Sequence, residues 1–578
     1  MIFTSVQQLE NEQNKVENRN YITIQLVEIF IQNDETDRIL QLVSQNEQQL
    51  HKLSLTLSYS RINDEGAIKL CCNIEKFISI KQLYLSLRGN RSTFLGLKQI
   101  IAKISSLKYL ESLNIDYYDN NLQEEDSEQI FDDLIRCQNL QSVRLNLDHN
   151  KISTKGALNI LQSLGKLNQL QKLQLSMNQN LIGQDQKVDE KIDQIKQIFN
   201  DQQQFKNLKY LKLSLKQNYI DNNLFQVIQN FFNGSKDLLS LSLSAKSNSF
   251  CQISLRSLLL FTNKFNLLQD LSLGLSQVQL RVHDLVDQTE SQDLKIITFG
   301  DSLQRVKLRF IESEVDSYQD IIKILSFSKD IYFLKISNQN SKIDDAQFEN
   351  LLKNIHLLQN LQHLEVILKY NDIRTYRNQF NSLKQCKSLQ SLNLDFHLNK
   401  EIDSTIFINL IKVLQECPSF NSLNLNLLCC ENLGEDEEVS FMLKELYRIN
   451  QLKKLNFQAK FCNLRLTTNL ELVKLISNCA CLEFLNLELN EEHGVLDLFL
   501  NQISMDLQNL SQLRVLQMSV LASNISYDSI KQFCLNLKTK KYLNAVQLYF
   551  FKFENINKIQ QLERILKKRR NMILVQIF

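Results

Sequence analysis

One hexapeptide pattern, apolar-x-x-apolar-x-apolar, returns along this chain at nearly fixed intervals, and no other feature restricts its fold as much. It stands as Leu50-His-Lys-Leu53-Ser-Leu55, Ile80-Lys-Gln-Leu83-Tyr-Leu85, Leu110-Glu-Ser-Leu113-Asn-Ile115, Leu140-Gln-Ser-Val143-Arg-Leu145 and Leu170-Gln-Lys-Leu173-Gln-Leu175. Its second apolar position continues through Leu211, Leu241, Leu271, Val306, Leu334, Leu364, Leu392, Leu423, Leu455, Leu485, Leu516 and Val546. Met572-Ile-Leu-Val575-Gln-Ile577 brings the series to eighteen copies. Most gaps are 28–32 residues; the two long ones, 38 before Leu211 and 35 before Val306, mark insertions near 181–207 and 277–302.

Apolar residues two apart share one face of a strand, whereas the segment after each copy, such as Ala157, Leu158, Leu161 and Leu164, has the three-to-four spacing of a helix. Neither element buries its apolar face alone, so the units must stack, strand beside strand and helix beside helix. Strands lie about 4.8 Å apart and packed helices about 8–10 Å, so the helical side is longer and the stack bends. Asn recurs ten residues after the first apolar position, at Asn90, Asn120, Asn150, Asn180, Asn218, Asn248, Asn371 and Asn399. An amide both donates and accepts, so a stacked row of them is expected to satisfy backbone groups where each chain leaves its strand.

These residues resemble the leucine-rich repeat family, in its long, ribonuclease-inhibitor-like class, over about residues 45–578. The clearest copy runs from Leu140 to Leu164, with a strand, the Asn150 turn, Gly156-Ala157 and a helix in the family's order. An extra apolar residue such as Leu147 precedes the Asn, which predicts a strand lengthened by one inward-pointing pair. The resemblance implies an α/β fold, a curved solenoid horseshoe with parallel strands on the concave face and helices on the convex face. It also implies a protein-binding role. Residues 46–578 are expected to form that solenoid of about 18 repeats, and residues 1–45, which lack a clear copy, an N-terminal cap. The spacing of Ile22, Ile24, Leu26, Leu40 and Val43 predicts a strand and a helix there.

Composition narrows the function. With one Pro and 11 Gly in 578 residues, flexible linkers between separate domains are scarce. Lys+Arg number 66 against 64 Asp+Glu, so no global charge draws the chain to nucleic acid or to an anionic membrane. Roughly a fifth of the residues are Asn or Gln, interleaved with Leu in register rather than gathered in a low-complexity tract. The sequence has no apolar run long enough to span a bilayer, and its N-terminus lacks the layout of a signal peptide. A soluble, cytoplasmic chain is expected, with cytoskeletal or ciliary association left open. Its twelve cysteines should then be free thiols. Cys137, Cys386, Cys417 and Cys479 each stand three residues before the first apolar position, a register that suits core packing. Cys71-Cys72, Cys429-Cys430 and Cys479-Ala-Cys481 lack the matching pairs a zinc site needs. Phosphate-loop, nucleophile-elbow, His-Glu-x-x-His and kinase signatures are missing. No catalytic residue, cofactor or metal is expected.

Strand residues between the inward apolar ones face outward, so the inner wall can be read directly. It is mostly small and polar, as at Ser142, Arg144 and Asn146 or Ser240, Ser242 and Ser244. Its middle third is basic: Lys172, Tyr210, Lys212, Lys216, Lys246, Arg305, Lys307, Arg309 and Lys335 are the candidate partner-binding residues, with Asp270 the acid read among them. That face is expected to attract a protein partner with an acidic segment. Aromatic residues are too sparse there to favour nucleic acid. Phe484, Val515, Leu521, Tyr549 and Phe551 give an outward apolar group near the C-terminus, a second contact surface or a surface covered by the terminal cap. Glu431–Glu438 reads as a solvated acidic loop, and Lys567-Lys-Arg-Arg570 complements the dipole at the end of the last helix. The expected function is a non-enzymatic protein-interaction scaffold. A regulatory adaptor, of the ubiquitin-ligase receptor or GTPase-activating type, and a structural subunit of a large cytoskeletal or ciliary assembly are the alternatives. The partner's identity and the oligomeric state stay open.

Overall fold

The computed structural model describes residues 20–43, 48–123, 129–184, 204–249, 252–254, 258, 261–281, 302–374, 380–402, 405–430, 449, 451–462, 479–490, 500–502, 504–505, 507–521, 526–550, 556–567 and 574–577. The chain forms two compact units, Met1–Leu303 and Gln304–Phe578. Each repeats the same α/β element, a short strand, a turn and a helical segment.

In the first unit the strands are β1 (Tyr21–Gln25), β2 (Lys52–Thr56), β3 (Gln82–Ser86), β4 (Ser112–Asp116), β5 (Ser142–Asn146), β6 (Lys172–Ser176), β7 (Tyr210–Ser214), β8 (Ser240–Ser244), β9 (Gln252–Ser254), β10 (Asp270–Ser276) and β11 (Gln279–Arg281). β1 to β8 pair in parallel in chain order, and β10 follows β8. The register is the one the repeat demands: Leu53 stands beside Leu83, then Leu113, Val143, Leu173 and Leu211. β9 and β11 form a separate parallel pair, β11 lying in the insertion near 277–302. The strand and helix expected within the first 45 residues are β1 and Asn33–Val43, and β1 joins the ladder with Ile22 beside Leu53.

In the second unit β12 (Arg305–Ile311), the two-residue β13 (Glu314–Val315), β14 (Phe333–Gln339), β15 (His363–Ile367), β16 (Ser391–Asp395), β17 (Ser422–Asn426), β18 (Lys454–Ala459), β19 (Phe484–Asn490), β20 (Val515–Leu521), β21 (Ala545–Phe550) and β22 (Leu574–Ile577) follow. All but β13 pair in parallel in chain order within this unit's main sheet.

The inward residues of both sheets, among them Leu145, Leu175, Leu394 and Leu425, are buried. They face the apolar sides of helical segments such as Phe94–Ile104, Thr154–Gly165, Asn222–Asn230 and Asp345–Lys353. These helices start where a polar side chain stands three residues beyond the turn. Asn63 accepts from Gly66 N, Ser153 from Gly156 N and Asp221 from Leu224 N, capping donors the first helical turn leaves unpaired. The extra inward residue behaves as expected: Leu147 is buried and its N–H reaches Ser176 O at 2.8 Å, carrying the ladder beyond β5.

The Asn row closes the turns. Asn150 Oδ1 accepts from Asn120 N at 3.1 Å, and its Nδ2 donates to Tyr117 O at 3.0 Å. Asn90, Asn180, Asn218, Asn248, Asn371 and Asn399 likewise donate to the turn before, at 2.7–3.1 Å. The residue before each ladder position has positive φ, including His149 at 60°, Gln179 at 54°, Tyr370 at 57° and Leu398 at 61°. Left-handed backbone at non-glycine residues costs about 1–3 kcal/mol each and persists only where its surroundings enforce it. Here the N–H of that residue bonds the next turn, as in His149 N to Asn178 O at 2.8 Å. At Gly89 the lack of a side chain is needed, since a Cβ would lie 2.2 Å from the Tyr59 ring. Among the described residues no helix is long and apolar enough to cross a membrane.

Candidate functional site

On the outward face of β5, β6 and β7, three rungs and three rows make a grid. The first row is Arg144, Gln174 and Lys212, and the second is Asn146, Ser176 and Ser214. Asp148, Asn178 and Lys216 form the third, just past the strand ends. Together these nine residues line a cavity of about 250 Å³.

The floor of the grid is hydrogen-bonded. Asn178 donates to Asp148 twice, from N to Oδ1 at 2.7 Å and from Nδ2 to Oδ2 at 2.9 Å. Its own Oδ1 accepts from Ser214 Oγ at 2.8 Å and from Lys216 N at 2.7 Å. On the neighbouring rung Asn146 Nδ2 donates to Asp116 Oδ1 at 3.0 Å. Burial raises the Asp116 carboxyl above its usual range, against the hydrogen bonds and Arg88 that favour its charge.

The cations over this floor are different. Among the described residues, the side chains of Arg144, Lys212 and Lys216 have no hydrogen-bond or ion-pair partner, and the first two are exposed. Lys172 and Tyr210 are neighbours across β6 and β7 at the rim, with Tyr210 46% exposed. Four of the residues expected to bind a partner therefore come together here, and Lys246 stands on the next rung.

The remaining four lie in the second unit. Arg305 and Lys307 flank the Phe333 ring at 5.5 and 5.6 Å from its centre, and Arg309 is exposed. Lys335 is ion-paired: its Nζ lies 2.5 Å from Glu365 Oε2, one rung away. Lys369 meets Asp395 at 3.1 Å and Lys460 meets Glu488 at 2.9 Å in the same fashion. Beyond Glu365, the row continues as seven consecutive amides from Asn393 to Gln576. Asn486 donates to Asn456 at 2.8 Å, Gln517 donates to Gln547, and Gln547 donates to Gln576 at 2.7 Å. Burial lowers His363 and His397 on this face below the usual imidazole range.

Reading the wall residue by residue found the outward positions and missed these pairings. The signal was available: an acid one repeat after a lysine, as Glu365 is after Lys335, faces it on the adjacent rung. Arg144, a wall residue outside the expected binding set, belongs to the site through its row-mate Lys212, 68 positions on.

The cysteines divide between two structural places. Cys137, Cys386, Cys417 and Cys479 form no disulfide and are buried at the helix-to-strand corner, where burial pushes their thiols up to about 11–12. Cys430 and Cys462 occupy the ladder position itself. Their thiols donate to Phe396 O and Leu427 O, as Asn does in the other rungs. Both are raised by burial, Cys462 to about 12. Among the described residues no three His, Cys, Asp or Glu side chains are grouped to hold a metal. Of the C-terminal apolar positions, Tyr549 is 41% exposed while Phe484 and Val515 are half-buried. The side chains of Leu521 and Phe551, like the 431–438 loop, most of the 181–207 insertion and Lys568–Arg570, lie outside the described residues. No family model matches the sequence, and no curated protein matches it.

Proposed function

We propose that this chain is a non-enzymatic, leucine-rich-repeat-type scaffold that docks a protein partner through an acidic segment laid across the strand face of its first unit. The observation that carries this reading is the trio Arg144, Lys212 and Lys216, three cations without partners among the described residues, gathered on the β5–β7 face. An uncompensated patch on a rigid sheet raises the on-rate for a segment of opposite sign and discriminates against basic ones. The preformed surface also spares the binder the ordering cost of a flexible loop. Small polar neighbours, such as Ser176 and Ser214, leave the face open to an extended chain.

The test is affinity capture from native extract with the full chain and with the charge-reversed triple variant Arg144→Glu, Lys212→Glu, Lys216→Glu. Reversal should abolish capture of the salt-sensitive partners, and raising salt from about 0.05 to 0.3 M should release them from the unaltered chain. Capture of the same set by both proteins overturns the reading.

A further inference from the structure

The geometry points to a narrower specificity for the same surface: we infer that the cavity over β5–β7 takes a phosphorylated side chain of the docked protein segment. This rests on the scaffold reading above and adds the chemistry of the group that seats there.

Charge is the first argument. Arg144, Lys212 and Lys216 bring three positive charges, and Asp148, held by Asn178, returns one. Two charges stay uncompensated. A phosphomonoester carries about −1.5 to −2 at neutral pH and meets that excess, where a carboxylate meets half.

Geometry is the second. Arg144 and Lys212 occupy one row on either side of Gln174. At about 4.8 Å per rung their Cα atoms stand roughly 10 Å apart, so both long side chains reach a group centred above Gln174. The guanidinium supplies a planar fork and the ammonium a point charge, the two donor types that phosphate oxygens accept. The Ser176 hydroxyl accepts from Asn178, which leaves its own proton free to donate into the same space. At about 250 Å³ the cavity holds a tetrahedral anion with the first atoms of its carrier.

The surroundings are the third argument, and they oppose a nucleic acid. A polyanion needs a stripe of cations, each neutralising one phosphate. On one flank the rows turn to Ser112, Asn114 and Asp116, and on the other to Ser240, Ser242 and Ser244. Neither flank carries a cation in these rows; Lys172 at the β6 rim and Lys246 one rung past Lys216 are the neighbouring cations, so the positive charge forms a short cluster and no long stripe.

The experiment titrates the full chain with three fluorescent degenerate peptide libraries carrying phosphoserine, Glu or Ser at one fixed position, and with an oligo-dT of similar length. The phosphoserine library should bind about tenfold more tightly than the Glu library. Arg144→Gln with Lys212→Gln should erase that preference, while Arg144→Lys with Lys212→Arg keeps most of it. Both pairs lie on the exposed face, and unchanged melting temperatures establish that they fold. The preference should also fade as pH falls from about 7.5 to 5.5, through the second phosphate ionisation near 6. Equal binding of the Glu and phosphoserine libraries, with both lost in the Gln pair, overturns the phosphate assignment and leaves the docking surface standing. Indifference of every library to the Gln pair overturns the inference, and the capture experiment then decides the scaffold reading separately. Tight oligo-dT binding that depends on Arg144 and Lys212, without phosphopeptide preference, overturns the assignment to a protein ligand.

Discussion

The two units use one repeat and one register, yet the β5–β7 grid of the first and the β14–β18 face of the second handle charge in opposite ways. In the first, Arg144, Lys212 and Lys216 stand over a polar floor with no partner among the described residues. In the second, Lys335, Lys369 and Lys460 each meet an acid from the adjacent rung, and a run of amides fills much of the remaining face. Partnered cations gain little from a ligand, because binding must first break a pair already made. The difference teaches that the sign of such a surface is a property of neighbouring rungs, never of one repeat.

The ladders differ as well. Where the next rung carries Asn, its oxygen accepts the preceding turn's N–H, as Asn150 does for Asn120. Where the next rung carries Cys430, Asn399 N turns back to Phe396 O within its own turn at 3.0 Å. A thiol is a weaker acceptor than an amide oxygen, so the Asn399 N–H gains less from Cys430 than Asn120 N–H does from Asn150. The largest effect therefore belongs to the amide: Asn150→Leu should cost about 1–3 kcal/mol through groups left unsatisfied. Cys430→Ala should cost about 1 kcal/mol, the loss of a small packed side chain and a weak donor. Urea unfolding of both variants measures this, and equal losses would break the distinction between the ladders.

Removing an acid should make the second face resemble the first. Glu365→Gln frees Lys335 beside Lys307, and stability should move by less than about 1 kcal/mol for a partly exposed pair. In a chain whose first-unit cavity is silenced by Arg144→Gln and Lys212→Gln, this change should restore weak, salt-sensitive binding of an acidic peptide, read by fluorescence anisotropy. If binding stays absent, pairing is not what separates the faces.

The smallest effects concern pH, and they have opposite signs. Asp116 in the first unit is raised by burial. The folded state then holds its proton more tightly than the unfolded chain, so stability declines as pH rises from the usual carboxylate range through the raised value. Asp116→Asn should flatten that decline. His363 and His397 in the second unit are lowered by burial. Their contribution is full above the ordinary imidazole value of about 6.5 and is lost as pH falls through the folded values. Melting temperature against pH should show the double variant His363→Gln, His397→Gln losing its acid sensitivity, with Asp116→Asn moving the opposite way.

Much of this was legible before any coordinates. The Leu register, the inward and outward alternation, the Asn ladder and the four corner cysteines follow from spacing alone, because stacking repeats periodic positions in space. The left-handed residues were not legible: Tyr370, Leu398 and Cys429 carry positive φ without being Gly or Asn, since the hydrogen bonds of neighbouring turns impose it. Nor was the ladder role of Cys430 and Cys462: spacing marks Cys429-Cys430 only as an unmatched pair and gives Cys462 no role, whereas in the fold their thiols donate to Phe396 O and Leu427 O.

Sequence by itself determined that each thirty-residue unit has an apolar side that must be covered by the next, because burial depends only on which positions are apolar and how often they recur. Spacing sets charges side by side on neighbouring rungs, and the tertiary structure decided which of them meet. Lys335 and Lys212 occupy the same outward position of their repeats, and only the rung beside each, an acid for one and Gln or Ser for the other, leaves one cation satisfied and the other open.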